Sequence, residues 1–177
     1  VETALAAYTA LGIEAQAELL TEKTLLDNLL TEITRLEGIM HEILTFKTDN
    51  SDALLLTVYT VEPGNRIIVE TALSALDLLS VEAKAMLSSE TALLNNLLTE
   101  INRQDNVILE ASDFITNHDT TLSLLVSSVL ISDRSSLEIT LAAYESLSID
   151  AKALLATEKA LLDSLLDEII RLETLEA

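Results

Sequence analysis

The feature that most constrains this chain is that it repeats itself. Laid over itself so that Val1 meets Val69 and Leu137, it matches without a gap. "EKTLLDNLLTEITRLE" at 22–37 has counterparts "ETALLNNLLTEINRQD" at 90–105 and "EKALLDSLLDEIIRLE" at 158–173. Over the first 37 positions, roughly 21 residues match between the first and second copies and roughly 23 between the first and third. The units are 1–68, 69–136 and a truncated 137–177. Self-similarity of this period means that each unit is one small set of packed elements, closed by its neighbours. In the less similar half of the unit, Phe46 pairs with Phe114, Leu54 with Leu122, Leu56 with Leu124, Val58 with Val126, Val61 with Val129 and Arg66 with Arg134. What persists is mostly apolar and what drifts is mostly polar, so packing is being preserved.

Read through its second copy, the unit is helical. Asn65, and Asp133 one unit later, stand where an N-cap is wanted. Val69, Ala72, Leu73, Leu76 and Leu79 then recur at the spacing of one helix face. Ser80 interrupts, with Ser148 and Gly12 as its counterparts, and "VEAKAML" makes a short second helix. A third helix is expected after the hydroxyl caps Thr21, Ser89 and Thr157, each followed by an acid (Glu22, Glu90, Glu158) that suits the positive helix end. Its stripe of Leu93, Leu94, Leu97, Leu98 and Ile101 continues through Val107, Ile108, Ala111, Phe114 and Ile115, and in the first copy through Ile39, Met40, Ile43, Leu44 and Phe46. The spacing predicts one long helix over about 90–116. "LLLTVYTV" has the β-branched content of a strand, whereas "TTLSLLVSSVL" reads as helix. One such segment per unit leaves a sheet few partners, which favours a short helix ending in an extended connector. The expected architecture is all-α: tandem three-helix-bundle-like repeats with a long third helix, stacked into an elongated rod.

Composition agrees. Apolar residues make up 49% of the chain, enough for a core, while Gly and Pro number only three and one, so little breaks a helix. The formal net charge of −20 argues against nucleic acid, whose phosphates require Lys and Arg, and against an anionic membrane. An acidic coat keeps a Leu-rich protein dispersed, and a salty environment is compatible with it. With no Cys there is no disulfide, thiol nucleophile or thiolate metal site. No apolar run is long enough to span a bilayer, and the opening residues do not read as a signal peptide. The chain opens at Val1 in mid-pattern, which reads as a processed product or a piece of a longer protein.

Chemistry-bearing residues form no constellation. His41 and His118 align with Leu109 and Asn50, so neither is a repeated ligand, and a surface histidine is the reading for both. Acid pairs such as Asp167–Glu168 and Glu14–Glu18 fall on expected solvent faces, away from any cleft that would separate their pKa values. "DNSD" at 49–52 lacks the spacing, Gly and terminal Glu of an EF-hand loop, and capping by Ser51 and Asp119 accounts for it and for "NHDT". Tyr8 and Tyr144 align with Leu76, and Phe46 with Phe114, which marks core positions. Gly12, Gly38 and Gly64 are isolated and make no phosphate loop. No catalytic, cofactor-binding or metal-ligating residue is assigned.

The stretch "ISDRSSLEITLAAYESLSIDAKALLATEKALL" resembles a helical module of large bacterial cell-surface and secreted proteins, through Asp133, the "AAY" of Ala142, Ala143 and Tyr144, Leu147–Ser148, and the "KAL" of Lys152, Ala153 and Leu154. In the other copies Leu76 replaces the Tyr and Gln16 the Lys. The resemblance implies a three-helix bundle used in tandem, without catalysis, as a stalk, spacer or attachment module. The expected function is a non-enzymatic structural repeat protein forming a rod, stalk or filament subunit at the bacterial cell surface. The alternative is a helical adhesion module that recognises a host or matrix protein. Expected partners are neighbouring repeats of the same or a longer chain, including a homopolymer formed by end-to-end stacking.

Overall fold

In the computed structural model, which describes residues 1–176, the chain is all-helical and no strand occurs among the described residues. The elements are α1 (Glu2–Thr9), α2 (Ile13–Glu18), α3 (Leu20–Asp49), α4 (Ser51–Leu54), α5 (Arg66–Asp77), α6 (Val81–Met86), α7 (Ser88–Asn117), α8 (Asp119–Leu122), α9 (Arg134–Ser146), α10 (Ile149–Leu154) and α11 (Ala156–Glu176). Single 3-10 turns, Pro63–Asn65 and Ile131–Asp133, lead into α5 and α9. Helices α2, α6 and α10 start at equivalent positions of the repeat, Ile13, Val81 and Ile149, and so do α3, α7 and α11, at Leu20, Ser88 and Ala156. The long helices α3 and α7 each run unbroken for 30 residues. Gly38 does not interrupt α3, because a helix tolerates an isolated Gly at a cost of about 1 kcal/mol.

Helix ends depart from the expected caps. Ser80 and Ser148 do cap, their hydroxyls each accepting an N–H, from Ala83 and Ala151, at 3.2 Å. Thr21, Ser89 and Thr157 do not, since α3, α7 and α11 already begin one residue earlier. Buried Leu87 and Leu155 make the corner instead, their carbonyls accepting the N–H groups of Thr91 and Lys159. Asn65 and Asp133 face backwards: their side chains accept the Glu62 and Leu130 N–H groups at 2.9 Å and close the 3-10 turns. Ser51 and Asp119 are the first residues of α4 and α8 and cap nothing with their side chains. The segment after the short helix α4 is extended at Glu62 but first makes a turn. The Thr57 carbonyl accepts N–H groups from both Thr60 and Val61, a turn that places Val61 in the core.

Gly12 holds the position of Ser80 and Ser148 with the same extended backbone and open space where a Cβ would sit. Gly12→Ser is therefore expected to stabilise the start of α2 by about 0.5–1 kcal/mol, by adding the missing cap and reducing unfolded-state freedom. Slower hydrogen exchange at the Ala15 amide would register it.

The chain forms two compact units, Val1–Leu98 and Thr99–Ala177. In the first, Ile39 and Phe46 of α3, Val61, Val69, Ala72 and Leu76 of α5, Ala83 of α6 and Leu94 and Leu97 of α7 are all buried. In the second, Ala111 and Phe114 of α7 join Val129, Leu137 and Tyr144 of α9, Ala151 of α10 and Leu162, Leu165 and Ile169 of α11. Each core thus uses four helices: a group of three, closed by the far half of the long helix that precedes it. Where that fourth helix is absent, at α1, α2 and the first half of α3, nothing is fully buried. Met40, Leu44, Ile108 and Ile115, read as core from their spacing, are exposed. The apolar stripe is wider than the face the neighbouring helices can cover.

Candidate functional site

His41 is exposed beside a shallow surface groove on α3 that also includes Phe46, Asn50 and Leu79. His118 is not a surface histidine. One turn beyond Phe114, its ring packs 4.9 Å from that phenyl ring and its Nδ1 lies 3.2 Å from the hydroxyl of buried Thr140. In the first unit its counterpart Asn50 donates instead to the Phe46 carbonyl at 2.8 Å. The same repeat position thus bonds across to α9 in one unit and within its own helix in the other. Asp49, Asp52, Glu14, Glu18 and Asp167 lie at the surface, and Glu168 is held by Arg171 at 2.6 Å. Among the described residues, no group of three or more His, Asp or Glu side chains could hold a metal ion, and no helix is long and apolar enough to cross a membrane.

The polar geometry that does stand out is a set of bonds that ties each long helix to the helices following it. The Arg35 guanidinium grips Glu32, one turn before it, and reaches Glu82 at the start of α6. Arg103 does the same with Glu100 and with Asp150 at the start of α10. About two turns beyond each arginine, a glutamate accepts the backbone N–H of the capping serine: Glu42 from Ser80 at 2.9 Å and Glu110 from Ser148 at 2.8 Å. Glu110 also accepts the Ser148 hydroxyl at 2.6 Å. One turn further on, Phe46 and Phe114 are buried, and the Phe114 ring meets Tyr144 edge-on with centroids 5.9 Å apart. Arginine, glutamate and phenylalanine thus lie on one helix face, because about two and about three turns of α-helix return a side chain to the same side.

The receiving helices are built to match. The Tyr8 hydroxyl donates to the Gln16 carbonyl at 2.9 Å and the Tyr144 hydroxyl to the Lys152 carbonyl at 3.2 Å, which pins each ring across a helix corner. At that corner the Lys152 ammonium donates to the Glu145 carbonyl at 2.7 Å and Lys84 to the Asp77 carbonyl at 2.5 Å, satisfying carbonyls that the helix end leaves free. Gln16 replaces the lysine in the first copy and makes the equivalent bond, to Thr9 at 3.3 Å. Lys152 and Lys159 also lie over the Tyr144 ring, each 5.8 Å from its centre.

These bonds shift the acids involved. Hydrogen bonds from Arg103 first, and then Gln104, hold the Glu100 carboxyl down at about 2. The Ser80 N–H lowers Glu42, and the Ser148 hydroxyl and N–H lower Glu110. A carboxylate depressed in the folded state contributes stability above its unfolded pKa and loses it as pH falls through its folded value. For Glu100 that window runs from 4.5 down to about 2. The difference in urea midpoint between the native chain and Glu100→Gln is expected to stay constant from neutral pH to about 5 and to shrink as Glu100 becomes protonated. Measuring the difference cancels the general relief of acidic repulsion that affects both proteins.

Comparison with protein-family models, with curated proteins and with solved structures finds no match.

Proposed function

We propose that this chain is a non-catalytic structural protein, an array of three-helix groups that stack through their long helices and serve as a rod, stalk or filament subunit at the bacterial cell surface. The observation that carries this reading is the recurrence, one repeat apart, of the same inter-helix bonds: Arg35 to Glu82 and Arg103 to Asp150, Glu42 to Ser80 and Glu110 to Ser148. Nearest-neighbour docking of this kind propagates along a chain without limit, which is what a spacer requires. The acidic surface supports a location in which a Leu-rich protein must resist aggregation, and the resemblance to bacterial surface modules supports the cell exterior.

The test is dimensional. Chains lengthened by one and by two further copies of the 69–136 unit are examined by small-angle X-ray scattering, alongside electron microscopy of the natural material. A maximum dimension that rises by a constant increment per unit, with rods or fibres in the micrographs, is the expected result. A particle whose added units collapse into a rounder shape would overturn the reading.

A further inference from the structure

The face formed by α1, α2 and the first half of α3 has the features of a helix-docking site whose helix is missing. Leu29 and Ile33 are 44% and 38% exposed, while their counterparts Leu97, Ile101, Leu165 and Ile169 are completely buried. Leu19 is exposed as well, whereas Leu87 and Leu155 are buried. The sequence is nearly the same at these positions, so what differs is the covering helix. The polar half of the interface is also in place. Glu14 occupies the position of Glu82 and Asp150, the acids gripped by Arg35 and Arg103, and has no cationic partner among the described residues. The Gly12 N–H occupies the position of the Ser80 and Ser148 N–H groups that Glu42 and Glu110 bind, with a matching backbone (φ −68°, ψ 158° against φ −60°, ψ 157° at Ser148). Tyr8 is pinned by its hydroxyl as Tyr144 is, and Tyr144 is the ring that receives Phe114.

We propose that this face binds, from another polypeptide segment, a helix carrying Arg, then Ile or Val about one turn on, Glu about two turns on and Phe about three turns on. That pattern is formed twice within the chain, by Arg35, Ile39, Glu42 and Phe46 and by Arg103, Val107, Glu110 and Phe114. Both instances are already seated, on α5–α6 and on α9–α10. The occupant is therefore a further helix of the same type. In the docked state its arginine pairs with Glu14, its glutamate accepts the Gly12 N–H, and its phenylalanine lies against Tyr8. The face so closed continues the interface the chain already uses twice. This inference rests on the stacking reading above and identifies the partner chemistry that stacking requires.

The probe is a synthetic peptide with the sequence of residues 99–130, titrated into the full chain by calorimetry at low salt. One-to-one binding in the micromolar range is expected, weakened about tenfold or more by Glu14→Arg in the chain or Arg103→Glu in the peptide and restored when both charges are exchanged. The same sequence fused ahead of Val1 through a flexible linker presents the helix at millimolar effective concentration and must slow hydrogen exchange across α1 and α2. Absence of that protection, binding indifferent to both charge reversals, or a chain that dimerises through this face and excludes the peptide would each overturn the proposal. Constant scattering increments without peptide docking would sink this inference and leave the stacking reading standing, and the converse pair of results would do the reverse.

Discussion

Leu97→Ala is expected to lower the unfolding free energy by about 3–4 kcal/mol, while Leu29→Ala, the same substitution at the equivalent position one unit earlier, costs less than about 1 kcal/mol. Leu97 is completely buried, so truncation removes its transfer energy and leaves a cavity lined by neighbours fixed in four helices. Leu29 lies in the same local sequence, "NLLTEI", but remains 44% exposed, so water already solvates much of what the substitution removes. Urea unfolding followed by circular dichroism measures both. Equal effects at the two positions would mean that the α1–α3 face is covered as fully as its counterparts, contrary to the packing described above.

Phe114→Ala carries the second large effect, about 3–5 kcal/mol. Phe114 is 4% exposed and stands between two rings, Tyr144 and His118. Its loss empties the contact at which α7 closes α9 and leaves the Thr140–His118 hydrogen bond without the packing that holds the imidazole in place. For a chain of this length the expected fall in melting temperature is about 8–15 °C. Tyr59→Ala serves as the control: its ring is 94% exposed, and the substitution should change stability by less than about 0.5 kcal/mol. A small effect at Phe114 would show that the far half of α7 contributes little to the second core.

Much of this molecule is legible in particular residues. The stripe from Leu93 to Phe114 requires a helix too long for its own three-helix group, and α7 spans Ser88–Asn117 accordingly. Ser80 and Ser148 read as breaks and prove to be caps, because a residue that stops one helix with extended backbone is also placed to start the next. Other residues misled for identifiable reasons. Met40, Leu44, Ile108 and Ile115 satisfy helical spacing, yet spacing records only which side of a helix a residue is on, and the neighbouring helices do not reach that far around. His118 reads as a lone imidazole until Thr140, far along the chain, is brought beside it. Asn65 and Asp133 are common capping residue types, but each ends a 3-10 turn and its side chain accepts the N–H of the residue just before that turn instead of one from the helix after it.

The docking bonds were the least legible feature. Arg103 and Asp150 are separated by several helices' worth of chain, and so are Arg35 and Glu82. Nothing local distinguishes these charges from the many that simply face solvent. The one available signal was that arginine and acid both persist across the copies while their polar neighbours drift.

By itself the sequence determined the helices and their recurrence from unit to unit, because apolar spacing and the scarcity of Gly and Pro act within a few turns of backbone. It also determined that one side of each helix must be hidden. What hides it was decided only by the tertiary structure, since burial depends on a neighbour's presence: Leu97 and Leu29 have nearly identical surroundings in sequence, and the helix that lies over one is missing from the other.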